Sequence, residues 1–355
     1  MTDHSPTTVL GIETSCDETA ASVVLDGRNV RSSVVSSQID LHARYGGVVP
    51  EIAGRAHVAL ITAVITEALE AAGSDHMGSG IDLVAATIGP GLIGSLLVGV
   101  SAAKALALVW DVPFVGVNHL EAHLLSPFLE HPDLELPLVT LLVSGGHTLI
   151  VHMASTTDYT VLGSTIDDAA GEAYDKVARF LGLPYPGGPV IDRLAATGNP
   201  EHIRFPRAMR NEGFDFSFSG LKTSVVNHVR RHPDVDSADV AASFQEAVVD
   251  VLVEKLGRAA RTVGARGVAI GGGVAANSAL RARVVALGEQ LGVPTFIPDR
   301  AMCTDNAAMV AAAAWWRYPV DGSLPLDTAA RPNLRLRGCA AESVGRVANG
   351  RPRAS

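Results

Sequence analysis

Two imidazoles stand four residues apart in Asn118-His119-Leu120-Glu121-Ala122-His123. On a helix, positions i and i+4 share a face, so this pair can present two nitrogens to one ion. The same spacing also arises on a polar helix surface whose histidines have nothing in common. A zinc-peptidase base needs a glutamate directly after the first histidine, whereas Glu121 follows by two and points well away at about 100° per residue. Two nitrogens leave an ion incomplete, and an acid from a distant segment is the natural third ligand. Cys303-Thr304-Asp305-Asn306, at the mouth of an Ala-rich helix, offers Asp305. A mixed nitrogen and oxygen set with open positions favours iron(II), zinc or manganese over a thiolate-bound structural metal and leaves room for a substrate oxygen. Thr304 or Asp305 in that place also makes an ordinary helix cap.

Two hairpin loops occupy corresponding places, Ser15-Cys16-Asp17-Glu18-Thr19 and Ser144-Gly145-Gly146-His147-Thr148. Glycines let backbone N–H groups approach phosphate oxygens and the hydroxyls add donors, which makes the second loop a candidate phosphate cradle. A Ser-Gly-Gly turn can equally just reverse the chain. Gly271 to Asn277 lies between a buried strand and a helix, where close approach of a nucleoside and the positive helix end are both available; the alternative is a tight strand-to-helix turn. Neither GxxxxGK[ST] nor GxGxxG occurs, so Walker-type and dinucleotide sites are excluded. Asp175 and Asp192 sit on Ala- and Val-bearing helices near glycine turns, where they can reach ribose hydroxyls or simply face solvent.

The elements that must position these groups follow from periodicity. Strands are expected at Thr8 to Glu13, Ala20 to Leu25 and Val30 to Ser36, and the same plan returns at Leu138 to Val143, His147 to Met153 and Tyr159 to Leu162. Each half later runs a strand into a Gly-rich turn and a helix. A helical block from Thr165 to about Gly264 intervenes, with Thr165 as N-cap, Asp167 and Asp168 in the first turn and Gly182 just past the end. Pro184 to Pro189 and Pro294 to Pro298 are expected linkers. Leu83 to Ala103 is uncharged and about long enough to span a bilayer, but Gly89-Pro90-Gly91 and Gly94 break it, so it reads as a buried strand, a turn and a packed helix.

The 355 residues suit two lobes, with 47% hydrophobic and 18% charged residues favouring α/β packing. Expected boundaries are an extension at 1–7, lobes at 8–135 and 136–329 with a helical insertion at about 165–264, and a tail at 330–355. The net charge of -9 excludes a nucleic-acid binder that works through its overall field, so any such contact is local. Candidate patches are Arg204, Arg207 and Arg210, then Arg230 and Arg231, then Arg258 to Arg266. Cys16, Cys303 and Cys339 lack paired spacing and the opening MTDHSPTT has no apolar core, so a reducing, cytoplasmic setting away from membranes is expected.

GIETSCDET, NHLEAH, VSGGHT, DDAAGEAYDKVARFLGLPYPGGP, FSFSGLKT, GGGVAANSALR and CTDNAAM occur in that order between about Val9 and Trp316. Together they resemble the TsaD family, the tRNA threonylcarbamoyladenosine synthases once called O-sialoglycoprotein endopeptidases. The resemblance implies an α/β, actin-like and Hsp70-like fold of two related lobes with duplicated mixed sheets. It implies transfer of the threonylcarbamoyl group of L-threonylcarbamoyladenylate to N6 of adenosine 37, in the anticodon loop of tRNAs reading codons that begin with A, with release of AMP. Carried over by motif, the metal ligands fall on His119, His123 and Asp305, with iron the usual ion and zinc the alternative. Substrate contacts fall on Leu142, Val143, Ser144, Gly145, Gly146, Asp175, Gly188, Asp192 and Asn277, and Glu13 and Glu18 lie on the catalytic edge. The resemblance also implies separate protein partners, TsaB and TsaE. The rival readings are an ATP-dependent small-molecule kinase and a nucleotide-switched binding module on the same fold; neither explains two imidazoles and an acid around one metal.

Overall fold

Apolar runs without alternation mark strands buried on both faces, and four of them form the centres of two sheets. In the computed structural model, which describes residues 7–131 and 134–337, β1 (Thr8–Glu13), β2 (Glu18–Leu25) and β3 (Asn29–Ser37) form an antiparallel meander. β4 (Leu83–Gly89) and β5 (Phe114–Asn118) extend it in parallel, giving the order β3-β2-β1-β4-β5. β6 (Leu138–Val143), β7 (Thr148–Met153) and β8 (Tyr159–Ser164) repeat the meander, and β9 (Gly267–Gly271) and β10 (Thr295–Phe296) repeat the parallel pair. The second order, β10-β9-β6-β7-β8, is the first with each strand replaced by its counterpart. Residues 1–6 of the expected extension, and residues 338–355 of the expected tail with Cys339, lie outside the described residues.

Three packed layers of side chains hold the sheets. Helices Pro50–Ala71 and Ile93–Trp110 cover the outer face of the first sheet, and the helices between Ala170 and Leu291 cover the outer face of the second. Between the sheets lie His119–Leu125 and Ala307–Asp321, whose residues share one core with Val9 and Val24 of the first sheet and Leu138, Leu142 and Val151 of the second. The alanines of Ala307–Asp321 let it approach β1 so closely that a Cβ on Gly11 would collide with the Ala307 carbonyl and the Ala311 nitrogen. The helix that carries His119 and His123, and the helix that Asp305 precedes, are thus both in the middle layer.

Several local expectations change. Helix Ala170–Phe180 begins with Ala169 at its N-cap and no side-chain cap, because β8 runs on to Ser164 and the Thr165 N–H is taken by the Thr148 carbonyl. Asp167 instead accepts from Ser217 Oγ, Phe218 N and Ser219 N and Oγ, holding the start of another helix, Ser219–Arg231. Pro184 to Pro189 is no linker, since helix Gly187–Ala195 begins inside it; a proline in the first turn loses no intrahelical bond. Pro294 to Pro298 contains β10. Leu83 to Ala103 divides between β4 and helix Ile93–Trp110.

Replacing Gly11 by valine should cost about 1–3 kcal/mol or more, since backbone rather than a flexible side chain occupies the space. A urea unfolding midpoint equal to wild type would show that the middle layer is looser than this packing requires.

Candidate active site

Asn118 ends β5 and caps the helix after it, its Oδ1 accepting from Leu120 N at 2.9 Å and Glu121 N at 3.4 Å. The cap fixes the turn from strand to helix, so His119 and His123 point into the middle layer, rings edge-on with centroids 4.8 Å apart. Asp305 Oδ1 stands 3.0 Å from His123 Nε2 and 3.5 Å from His119 Nε2. Neither Asp305 nor Thr304 caps the following helix; Asn306 does, accepting from Met309 N at 3.0 Å. That leaves the Asp305 carboxylate free to face the imidazoles. Glu121 lies on the other side of its helix, buried against Arg317 with Oε1 to Nε 3.3 Å.

The second ring nitrogen of His119 is also engaged. Its Nδ1 lies 3.1 Å from Glu13 Oε2 and 3.2 Å from Ser15 Oγ. The Glu13 carboxylate is fully buried and also accepts from Thr87 Oγ1 at 2.6 Å and Ser15 N at 2.5 Å. Glu13 therefore orients His119 and has no open side from which to reach a substrate. His123 lacks such support, since its buried Nδ1 has no hydrogen-bond partner among the described residues.

The electrostatics favour a positive charge at this point. Burial alone would lower the His119 imidazole, yet Asp305 and Glu13 together raise it to about 9. Burial alone would raise both carboxyls, but His119 holds Glu13 and Asp305 below the usual range, with His123 also acting on Asp305. His147, brought in by the β6–β7 hairpin loop, is pushed down to about 4 by burial and by the neighbouring His119 and His123. A divalent ion meets the same requirement as the proton. The three candidate ligand atoms lie within 4.8 Å of one another, and the two distances to Asp305, 3.0 and 3.5 Å, match the roughly 3–3.6 Å between ligands about 2.0–2.2 Å from one ion. The donor set fits a metal, held by His119, His123 and Asp305.

The remaining sequence-derived residues gather on the second-sheet side. Leu142 and Val143 are buried in β6, while Gly145 and Gly146 are exposed with open space where side chains would stand. Ser144 Oγ accepts from His147 N, and the Ser144 carbonyl accepts from Gly171 N at the start of helix Ala170–Phe180. Asp175 accepts from Gly187 N at 2.8 Å, beside Gly188, whose missing side chain also leaves open space. Asp192 accepts from Ser278 N and Oγ. Asn277 is committed twice, its Oδ1 capping helix Ser278–Leu291 and its Nδ2 donating to Gln245 at 2.7 Å. Glu18 is half-buried at the opening of β2, and burial followed by the charges of Asp305 and Asp17 pushes it up to about 10. Burial and the charges of Asp17 and Asp175 also raise Tyr185. His147 and Tyr185 were not singled out from the sequence. Each was legible only as a member of a longer motif, His147 in VSGGHT and Tyr185 in the segment ending LPYPGGP.

A family model described as TsaD, tRNA N6-adenosine threonylcarbamoyltransferase, matches residues 29–312. The tRNA N6-adenosine threonylcarbamoyltransferase of Moorella thermoacetica is 53% identical over 335 residues, covering 93% of this chain and 97% of its own. That of Symbiobacterium thermophilum is 54% identical over 331 residues, covering 92% and 96%. The chain belongs to the TsaD family. More distant structures share the fold alone. HypF of T. kodakarensis superposes with TM-score 0.62 at 17% identity, over 89% of this chain and 48% of its own. Component A of the Acidaminococcus fermentans (R)-2-hydroxyglutaryl-CoA dehydratase does so with TM-score 0.53 at 16% identity, over 88% and 99%. The actin-like, two-sheet architecture is common to them.

Because the metal-free site holds a proton on His119 up to about pH 9, metal binding near neutrality should release about one proton. Affinity for zinc should then rise about tenfold per pH unit between pH 6 and 8, measured against a competing chelator; a flat profile would contradict the raised imidazole. Glu13→Gln should weaken zinc about 10–100-fold through loss of His119 orientation, with Thr87→Val, which leaves the carboxylate in place, changing it far less.

Proposed function

We infer that the chain transfers the threonylcarbamoyl group of L-threonylcarbamoyladenylate to N6 of adenosine 37 in tRNAs reading codons that begin with A. The observation that carries this reading is the meeting of His119, His123 and Asp305 with both hairpin loops, in a chain that matches its family over nearly its whole length. In the transfer, N6 bonds to the carbamoyl carbon, that carbon's bond to the phosphate oxygen breaks, AMP departs and N6 loses a proton. The donor is a mixed anhydride with a good leaving group, whereas the exocyclic amine is a weak nucleophile, so orientation supplies much of the rate. An anticodon-loop base can be splayed out without opening a duplex.

The chain's own groups divide this work. Backbone N–H groups of Gly145 and Gly146 suit the phosphate, with the Ser144 N–H closing the loop on the His147 carbonyl, and Asp175, Gly188, Asp192 and Asn277 form the wall suited to the nucleoside. Leu142 and Val143 support that wall from the core, since their side chains are buried. Glu13 acts through His119 as a positioning residue, and Glu18, pushed up to about 10, is protonated near neutrality and suits a donor rather than a base. A metal at His119, His123 and Asp305, iron(II) first and zinc second, supplies a Lewis acid for a carbamoyl or phosphate oxygen.

Two lobes, 8–135 and 136–329 with the insertion at about 165–264, close on the adenylate from either side. TsaB and TsaE act as separate protein partners. An exposed apolar surface on the paired helices Pro50–Ala71 and Ile93–Trp110, carrying Val58, Ile93, Leu97, Leu108 and Val109, supports a protein contact there. The tRNA substrate and the free Cys16 and Cys303 support a cytoplasmic location.

With unmodified tRNA, threonylcarbamoyladenylate and both partners, nucleoside mass analysis should detect threonylcarbamoyladenosine from the wild-type chain. His119→Ala and Asp305→Ala should each lower the yield at least about 100-fold while the circular dichroism spectrum stays native. Product at wild-type level from either variant would remove the three-residue centre from the reaction; none from the wild type would return the kinase reading.

A further inference from the structure

The arginines of the helical region fall into two sets. Arg207 is bonded to Asp250, Arg210 to Glu254, Arg283 to Glu246 and Asp250, and Arg266 to Glu135. Arg204, Arg230 and Arg231 are exposed, and their side chains make no hydrogen bond or ion pair among the described residues. Arg179, Arg193 and Arg261 are likewise exposed and unmatched, but Arg204, Arg230 and Arg231 are gathered in one place. Phe205 lies edge-on against His228 with ring centroids 5.8 Å apart, so the loop carrying Arg204 abuts the end of helix Ser219–Arg231.

One face of that helix lines a groove of about 380 Å³ with Gly220, Thr223, Ser224, Asn227, His228 and Arg231. The face bears hydroxyl, amide, imidazole and guanidinium groups, and neither a carboxylate nor an aliphatic side chain. In a chain of net charge -9, such a strip is a local exception. It also begins near the active site. Asp167 holds the first residues of the helix, and the chain from Asp167 leads directly into helix Ala170–Phe180, whose Gly171 N–H is bonded to the Ser144 carbonyl. The 13-residue helix then carries the groove about 20 Å away, at about 1.5 Å per residue.

We propose that this groove, with Arg204, Arg230 and Arg231 at its far end, is the track for the sugar-phosphate backbone of the tRNA stem that adjoins the anticodon loop. The proposal rests on the activity inferred above. A protein partner would want an apolar centre to the contact, which this face lacks. Unpaired cations and neutral hydrogen-bonding groups on an otherwise acidic chain are the footprint of phosphate recognition. The geometry also suits the substrate, because a base held at the cleft leaves its stem running outward along the helix.

The test uses the modification assay with both partners, varying tRNA and salt. Arg231→Glu and Arg266→Glu each lower the net charge by the same amount, but only the first lies on the track. Arg231→Glu should raise the KM for tRNA about five- to tenfold and flatten the slope of log kcat/KM against log salt by about 1, with kcat and the KM for the adenylate unchanged. Arg266→Glu should stay within about twofold of wild type. Asn227→Arg, which adds a cation to the groove, should lower the KM for tRNA and steepen the slope. Equal effects of the two glutamate variants, a fall in kcat at unchanged KM, or an unaltered KM in both Arg231→Glu and Asn227→Arg would overturn the track while wild-type activity stands. Absence of product from the wild type would instead strike the activity itself.

Discussion

A buried carboxylate and a half-buried one face one imidazole from opposite sides, Glu13 at His119 Nδ1 and Asp305 at His119 Nε2. Burying an unpaired carboxylate costs several kcal/mol, so the arrangement is tolerable only with positive charge between the acids. A proton or a divalent ion meets that need. The surrounding layer is built to keep the groups in place. Asn118 caps one contributing helix, Asn306 the other, and Thr87 and the Ser15 backbone hold Glu13. Loss of any of these would disturb ligand geometry before it disturbed the fold.

Duplication explains why the site lies where it does. Each sheet opens with a hairpin, and the two hairpin loops bring Ser15 to one side of the histidines and His147 to another. The helices that supply His119, His123 and Asp305 run between the sheets and pack on both. Structures with the same architecture and below 20% identity serve other chemistry, because the fold supplies a cleft and the residues placed around it supply the reaction. Here those residues come from stretches more than a hundred positions apart.

Charge is organised with similar economy. Arg207, Arg210 and Arg283 are matched to acids, which ties the long helix Ser237–Val263 to its neighbours. Three of the unmatched ones, Arg204, Arg230 and Arg231, are collected at one groove, so an acidic protein can still offer phosphate a local attraction. The apolar exposed surface lies on other helices, Pro50–Ala71 and Ile93–Trp110. The two surfaces are chemically distinct and lie on different helices.

Much of this was legible in the residues alone. Runs such as Leu138 to Val143 and the return of strand, turn and strand disclosed the duplicated sheets, and the four-residue spacing disclosed the His119 and His123 pair, because periodicity and spacing act within a few turns of chain. Gly182 and Gly264, both left-handed, marked helix ends for the same local reason. Tertiary structure decided what no window of sequence contains. It turned Asp305 toward the histidines, made Glu13 a support for His119, set Asp167 at the start of a different helix, and brought His147 toward the same imidazoles. Each of these depends on pairing between distant strands, and only when the sheets close do residues 13, 119, 147 and 305 acquire one another as neighbours.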